Sequence, residues 1–134
     1  MKWKSEDMTM YLEAKEYVDT FVLPLIPVSF QAPDEQLTSL SFQSELLSIY
    51  MSELEQQFKG RIFLSPTYTY SPNMDKNEEI DRLNKWCEEA ESQGFQHILL
   101  FTMDPMWKKM EQKLSGSLIW LPRGEMEELH SGES

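Results

Sequence analysis

The segment HILLFTM, residues 97–103, is an unbroken apolar run that ends at Asp104-Pro105. A short apolar run without polar alternation is typical of a strand that is buried on both faces, as in a parallel sheet covered by helices. Proline is favoured at the first position of a helix, and aspartate is favoured at the N-cap just before it. The segment therefore predicts a central strand that passes directly into a helix capped by Asp104.

On both sides of this strand, the chain alternates between apolar runs and amphipathic segments. Helices are predicted at residues 5–19, 43–59, 76–92 and 105–114, and further strands at residues 25–30, 61–66 and 117–121. Strands separated by helices pair in parallel through right-handed crossovers. The sequence thus predicts an α/β fold with a four-stranded, mainly parallel sheet of order 2-1-3-4. Helices on both faces would make it a three-layer Rossmann-like or flavodoxin-like architecture.

The predicted domain covers residues 1–122, and residues 123–134 are predicted to be an acidic flexible tail, because the segment after Pro122 is polar. Within the first strand, Pro24 stands at the predicted entrance. Pro27 lies inside the strand, where proline removes a hydrogen-bond donor. Two alternatives are open for Pro27: its nitrogen faces no neighbouring strand, or a bulge lies there.

The net charge of −11 argues against several classes of partner. An acidic protein repels phosphate backbones and anionic lipid headgroups, so we expect no nucleic-acid binding. The longest apolar run, residues 21–28, is much shorter than the roughly 20 residues that span a bilayer, so no membrane insertion is predicted. The single cysteine, Cys87, permits no intrachain disulfide. This composition predicts a cytoplasmic protein.

Ligands of open parallel sheets bind beyond the carboxyl ends of the strands, so the residues that follow the predicted strands are candidates. The ligand candidates at this rim are Ser29, Thr67, Tyr68, Asp104 and Arg123. No glycine lies between a strand and the next helix, where a phosphate-binding loop requires one, so no nucleotide cofactor is predicted.

The sequence offers no set of catalytic or metal-binding side chains. Asp104 resembles a phosphoryl acceptor in position, but the acidic pair that would hold magnesium is missing after the first strand, and the N-cap reading is favoured. His97 and His130 have no partners at metal-ligand spacing, so no metal site is predicted. Cys87 lies mid-helix beside Glu88 and is interpreted as an inert buried thiol. We therefore predict no catalytic residue.

Aromatic residues are the candidates for contact with a protein partner. Tyr68 and Tyr70 alternate with threonine and place both rings on one side of an extended segment, where they form either a binding ledge or a cover for the sheet. Trp107 beside Lys108 either anchors an acidic partner or packs on the sheet. The predicted partner contacts are accordingly Trp107, Lys108 and Tyr70.

Trp3, the segment AKEYVDTFVLPLIPVSF (14–30) and the run HILLF (97–101) resemble the YpiF-like family of uncharacterised small proteins from Bacillus-type bacteria. The resemblance extends over about residues 1–122. It implies a bacterial cytosolic protein and adds no catalytic residue.

Together these features favour a non-enzymatic module for protein interaction or assembly, acting through a partner or through self-association. The alternative is a small-molecule-binding domain or enzyme that uses the C-terminal rim of the sheet.

Overall fold

A computed structural model describes residues 1–133 of the 134-residue chain. The helices are α1 (Ser5–Glu13), α2 (Asp34–Gln57), α3 (Lys76–Ser92), α4 (Pro105–Lys109) and α5 (Arg123–Glu133). The strands are β1 (Thr20–Pro27), β2 (Ile62–Leu64), β3 (Tyr68–Tyr70), β4 (His97–Thr102) and β5 (Ser117–Trp120). Short 3-10 turns follow α1 at Lys15–Tyr17 and α4 at Glu111–Lys113.

The sheet has the order β2-β1-β4-β5, and β3 also pairs with β1. Every pair of neighbouring strands is parallel. The predicted α/β class with a mainly parallel sheet is thus confirmed. The predicted count of four strands in the order 2-1-3-4 is corrected to five, because the segment predicted as one strand at residues 61–66 is interrupted and continues as β3.

The interruption is a bulge in the edge of the sheet. Leu25 follows Val22 by three positions in β1, whereas their partners Leu64 and Tyr68 lie four positions apart. The additional residue marks a β-bulge, which leaves part of the ladder unpaired. β1 also begins at Thr20, earlier than the predicted residue 25, so Pro24 lies within the strand and not at its entrance.

Both prolines of β1 fall where no donor is needed. The amide of Thr20 donates to the carbonyl of Arg61, and the amide of Val28 donates to the carbonyl of Tyr70. The backbone nitrogens of the even-numbered residues of β1 therefore point toward β2 and β3. The missing donor of Pro24 therefore falls at the bulge. Pro27 points to the other side, where pairing with β4 has already ended at Pro24. Of the two alternatives for Pro27, the first is therefore correct: its nitrogen faces no neighbouring strand.

Helices cover both faces of the sheet. On one face, α3 and α4 pack on β1, β3 and β4 around a core that includes Leu25, Leu83, Leu100 and Trp107. α1 covers the β2 edge through Tyr11, which packs with Val18 and Phe63. The opposite face is covered by α2 and α5 around Val22, Leu47, Met51, Phe101 and Met126.

The limits of two helices differ from the predicted ones. α2 begins at Asp34, directly after Pro33 and with Asp34 and Glu35 in its first turn, where the helix dipole favours negative charge. The sequence was interpreted there as a polar connector, because the first turns of α2 are mostly exposed. α1 in turn is shorter than the predicted 5–19 and ends at Glu13.

The segment that was predicted to be a flexible tail, residues 123–134, is described in the structure as far as residue 133. Arg123–Glu133 form α5, and Met126 is buried against α2. Ser134 lies outside the described residues. No helix within residues 1–133 combines the length and apolar character needed to cross a membrane.

Candidate functional site

A cavity of about 460 Å³, lined by both polar and apolar side chains, lies at the carboxyl ends of β1, β3 and β4. We call it the rim cleft. Its lining residues are Pro27, Ser29, Gln31, Ala32, Pro33, Gln36, Leu40, Gln43, Pro72, Asn73, Asp104 and Pro105. Of the predicted rim candidates, the structure brings Ser29 and Asp104 together here.

The rim cleft lies at the point where the strand order reverses. β1 leads through α2 to β2 on one side, whereas β3 leads through α3 to β4 on the other side of β1. The two connections leave opposite faces of the sheet, so a crevice opens between the ends of β1 and β4. This is the usual position of ligands in open parallel sheets.

Asp104 is fixed by both of its carboxylate oxygens. Oδ1 accepts a hydrogen bond of 2.9 Å from the amide of Met106, which confirms the predicted N-cap of α4. Oδ2 accepts a hydrogen bond of 2.6 Å from the hydroxyl of Tyr70. The carboxylate is half-buried, so it is oriented by the protein and still reaches the rim cleft.

Tyr68 and Tyr70 are core residues in the structure and do not form an exposed ledge. The Tyr68 hydroxyl donates to Oε1 of buried Glu79 at 2.7 Å. Burial, and next the carboxylate of Glu79, raises the pKa of Tyr68 above its usual value of 10.0. Burial, and next the carboxylate of Asp104, likewise raises the pKa of Tyr70. This corrects the expectation that Tyr68 binds a ligand and Tyr70 a partner at the surface.

Because the pKa of both tyrosines is raised, we expect the protein to lose stability at alkaline pH. The unfolded chain releases tyrosine protons above about pH 10, whereas folded Tyr68 and Tyr70 keep theirs. Their contribution to the free energy of unfolding is therefore fully present below about pH 10. As the pH rises further, each tyrosine lowers the free energy of unfolding by up to about 1.4 kcal/mol per pH unit. We expect Tyr70→Phe to reduce this slope by about one proton, whereas exposed Tyr17 replaced by phenylalanine leaves it unchanged. Urea unfolding at pH values on either side of 10 measures both slopes, and equal slopes in the two variants would contradict the prediction.

The remaining predicted residues lie away from the rim cleft. Thr67 is exposed and lines a different cavity, described below. Arg123 lies at the start of α5, where it donates to Ser39 of α2 and to Glu127 at 2.8 Å. The Lys108 ammonium lies 4.2 Å from the centroid of the Trp120 ring. Arg123 and Lys108 thus make their contacts within the protein.

Trp107 was predicted to contact a partner but is 0% exposed. Its ring stands edge-to-face on Tyr70 with the centroids 5.2 Å apart, and on Tyr68 with the centroids 6.5 Å apart. The packing alternative for this residue is therefore correct, and the partner-contact prediction is corrected.

A second cavity of about 540 Å³ lies on the face that carries α1 and α3. We call it the apolar groove. Its floor consists of Phe21, Leu23, Phe63, Tyr68 and Phe95. Its walls come from α1 and the following turn (Met8, Tyr11, Leu12, Lys15), from α3 and its end (Arg82, Trp86, Glu89, Ala90, Gln93), and from Trp3 and residues 65–67. The groove is open to solvent along the space between the two helices.

The aromatic side chains that line the apolar groove pack against one another and are partly exposed to solvent. Tyr11 stacks on Phe95 with the ring centroids 5.9 Å apart and meets Phe63 edge-on at 5.2 Å. At the walls, Trp3 is 67% exposed and Trp86 is 47% exposed. Rings that are fixed by packing on one side and free on the other are suited to binding apolar groups.

Sequence reasoning missed this groove and most of the rim cleft. Gln36 of the rim cleft was overlooked because the first turns of α2 were taken for a connector, and Gln43 was overlooked because it was read only as the first residue of the predicted helix. Trp86 gave a signal that was not used: it lies next to Cys87 on α3 but outside the stripe Ile80, Leu83, Cys87 and Ala90 that faces the core. A tryptophan outside the core stripe of an amphipathic helix indicates an exposed contact surface.

Cys87 provides a test of the core beneath α3. Its side chain is 0% exposed, and burial raises the pKa of the thiol to about 11. Because the thiolate is the reactive form, we expect the native protein to resist iodoacetamide near neutral pH and to react after unfolding in urea. Mass spectrometry reads the result directly, since the chain has one cysteine. Equal rates in the native and unfolded protein would show that α3 does not pack as described.

Comparison with known proteins shows which family the sequence belongs to. The uncharacterized protein YpiF of Bacillus subtilis (strain 168) is 36% identical over 108 residues, which are 81% of this chain and 69% of that protein. This confirms the resemblance to YpiF-like proteins. No solved structure matches the chain, so the Rossmann-like or flavodoxin-like likeness stays a prediction. The family model described as "Protein of unknown function (DUF2487)" matches residues 9–134, and the chain belongs to this family.

Proposed function

We propose that this protein is a protein-interaction module whose apolar groove receives a helix of a partner protein. The observation that carries the proposal is the exposed aromatic lining of the groove, with Trp3 and Trp86 on its walls and a floor of phenylalanine rings. Contiguous apolar surface of this kind marks interaction sites on soluble proteins. Tryptophan, tyrosine and arginine are also the residues that dominate binding energy at interfaces.

The length of the groove supports a helix as the occupant. The wall formed by α3 extends from Arg82 to Gln93, about 16 Å at 1.5 Å per residue. A helix of three turns has this length and presents apolar side chains at positions i, i+4 and i+7 on one face. Laying such a face into an apolar groove is a common mode of peptide recognition.

The charges on the walls support a partner helix with acidic flanks. Lys15 lies on the α1 wall, and Arg82 and Glu89 lie on the α3 wall, so the lining carries more positive than negative charge in an otherwise acidic chain. Arg82 lies over the Tyr68 ring at 4.6 Å and bonds Glu79 at 3.3 Å. Its guanidinium has five donors, so it retains donors for a carboxylate of the partner.

Site-specific photocrosslinking in the native host cells tests this proposal. A photoreactive amino acid replaces Leu12 on one wall or Trp86 on the other, and Ile49 on the opposite face of the protein serves as the control. We expect positions 12 and 86 to crosslink to the same helical segment of one partner, and position 49 not to do so. Crosslinks to a second copy of the chain, equal crosslinking from position 49, or no crosslink would contradict the proposal.

The affinity for the crosslinked segment gives a quantitative check. Trp86→Ala is expected to weaken binding by about 2 kcal/mol, roughly thirtyfold in Kd, because it removes an aromatic anchor from the centre of a groove wall. Ile49→Ala is the matched control and should leave Kd unchanged. Titration calorimetry with the synthetic segment measures both values, and equal affinities would exclude Trp86 from the interface.

A further inference from the structure

We propose that the rim cleft binds an uncharged polyhydroxylated molecule of the size of a monosaccharide or a nucleoside. This site is separate from the apolar groove, since the two cavities share no residue. It lies at the switch point of the sheet, and its volume of about 460 Å³ is in the range of small-molecule sites.

Neutral groups that are both hydrogen-bond donors and acceptors dominate the polar lining of the rim cleft. These groups are the side chains of Ser29, Gln31, Gln36, Gln43 and Asn73. Each hydroxyl or carboxamide offers both a hydrogen-bond donor and an acceptor, as do the hydroxyl groups of a sugar. Such a lining can satisfy both functions of every ligand hydroxyl, which an apolar or singly charged lining cannot.

The charge of the rim cleft excludes anionic ligands. No lysine or arginine is among the lining residues, and Asp104 contributes a negative charge. Prolines and Ala32 occupy the loops where a phosphate site would need glycine and free amides. A phosphate or carboxylate on the ligand would therefore meet repulsion from Asp104 without a compensating cation.

Asp104 supplies a fixed acceptor for the hydroxyl groups of a polyol. The two oxygens of Asp104 are held by Tyr70 and Met106, and each keeps a lone pair for a ligand hydroxyl. A carboxylate fixed in this way can accept two hydrogen bonds from neighbouring hydroxyls, as in ribose recognition.

Prolines restrict the backbone that forms the walls of the rim cleft. Pro27, Pro33, Pro72 and Pro105 line it and restrict the backbone at four points. The Asn73 carboxamide bridges the two loops, at 3.5 Å from the Ser29 hydroxyl and 3.4 Å from Oε1 of Gln31. A site with a restricted backbone loses less conformational entropy on binding, which suits a small ligand with few contacts.

Side-chain amide resonances in ¹H–¹⁵N NMR spectra of the full chain test this proposal. The ligand probes are D-glucose, D-ribose, myo-inositol, adenosine and uridine at millimolar concentration, with ribose 5-phosphate and glucuronate as charged counterparts. We expect at least one neutral probe to shift the side-chain amides of Gln36, Gln43 and Asn73. The amide of Gln56, which lies on α2 outside the cleft, should remain unshifted. The charged counterparts should bind at least tenfold more weakly.

Two variants identify the groups involved. Gln43→Leu removes one carboxamide from the cleft and should weaken binding of the responding probe at least tenfold. Gln56→Leu should not change the affinity for this probe. Backbone spectra of both variants report whether the fold is retained. No shift of the cleft amides with any neutral probe, equal losses in the two variants, or tighter binding of the charged counterpart would overturn the proposal.

Discussion

Trp107→Ala is expected to lower the free energy of unfolding by about 4 kcal/mol, because it removes the largest fully buried side chain of the core. The lost contacts include two edge-to-face aromatic pairs, with Tyr68 and with Tyr70. The cavity would lie between α4 and the ends of β1 and β3, where the surrounding strands have little freedom to close it. Urea unfolding followed by circular dichroism measures the change.

Two variants serve as controls for this value. Trp86→Ala makes the same chemical change at a position that is 47% exposed, and its effect on stability should stay within about 1 kcal/mol. Trp107→Phe keeps an aromatic ring and removes an indole N–H that has no acceptor among the described residues. It should therefore cost clearly less than the alanine variant. Native stability of the Trp107→Ala variant would contradict the burial of Trp107 and would support the original prediction that it contacts a partner.

Asp104→Ala is expected to lower the free energy of unfolding by about 3 kcal/mol. Loss of the N-cap of α4 accounts for about 1 kcal/mol. The remaining 2 kcal/mol, approximately, arises because the buried hydroxyl of Tyr70 loses its acceptor. Asp104→Asn keeps one oxygen that can accept from the amide of Met106, and its NH2 group can donate to the Tyr70 hydroxyl, so it should cost less than the alanine variant, about 1.5 kcal/mol.

A double-mutant cycle separates the two contributions of Asp104. In a Tyr70→Phe background the hydroxyl is absent, so Asp104→Ala should cost only the cap, about 1 kcal/mol. The same cost in both backgrounds would show that the bond of 2.6 Å between Tyr70 and Asp104 does not contribute to stability. Because these measurements use the protein without a ligand, their outcome is independent of what binds in the rim cleft.

The local signals that predicted the fold were those with a short-range physical cause. The run 97–103 indicated a doubly buried strand because an unbroken apolar sequence has no polar face to expose. Asp104 was predicted as an N-cap because the aspartate-proline pair carries that preference within two residues. Both appear in the structure, as β4 and as the start of α4.

The errors concern signals that depend on distant residues. β1 was placed too late because Pro24 was read as a strand entrance, and the bulge that accommodates it comes from the strand interruption at residues 65–67. The start of α2 was missed because its first turns are mostly exposed. The helix at Arg123–Glu133 was not predicted, because among the described side chains of α5 only Met126 is buried.

By itself, the sequence determined the α/β class, the parallel strands and the cap at Asp104, because hydrophobic periodicity and capping preferences act over a few residues. Only the tertiary structure decided which side chains meet. It buried Tyr68, Tyr70 and Trp107, left Trp3 and Trp86 exposed, and brought Gln36, Asn73 and Asp104 into one cleft. The physical reason is that burial and cavities depend on how separate elements pack across the sheet, and no local pattern records that geometry.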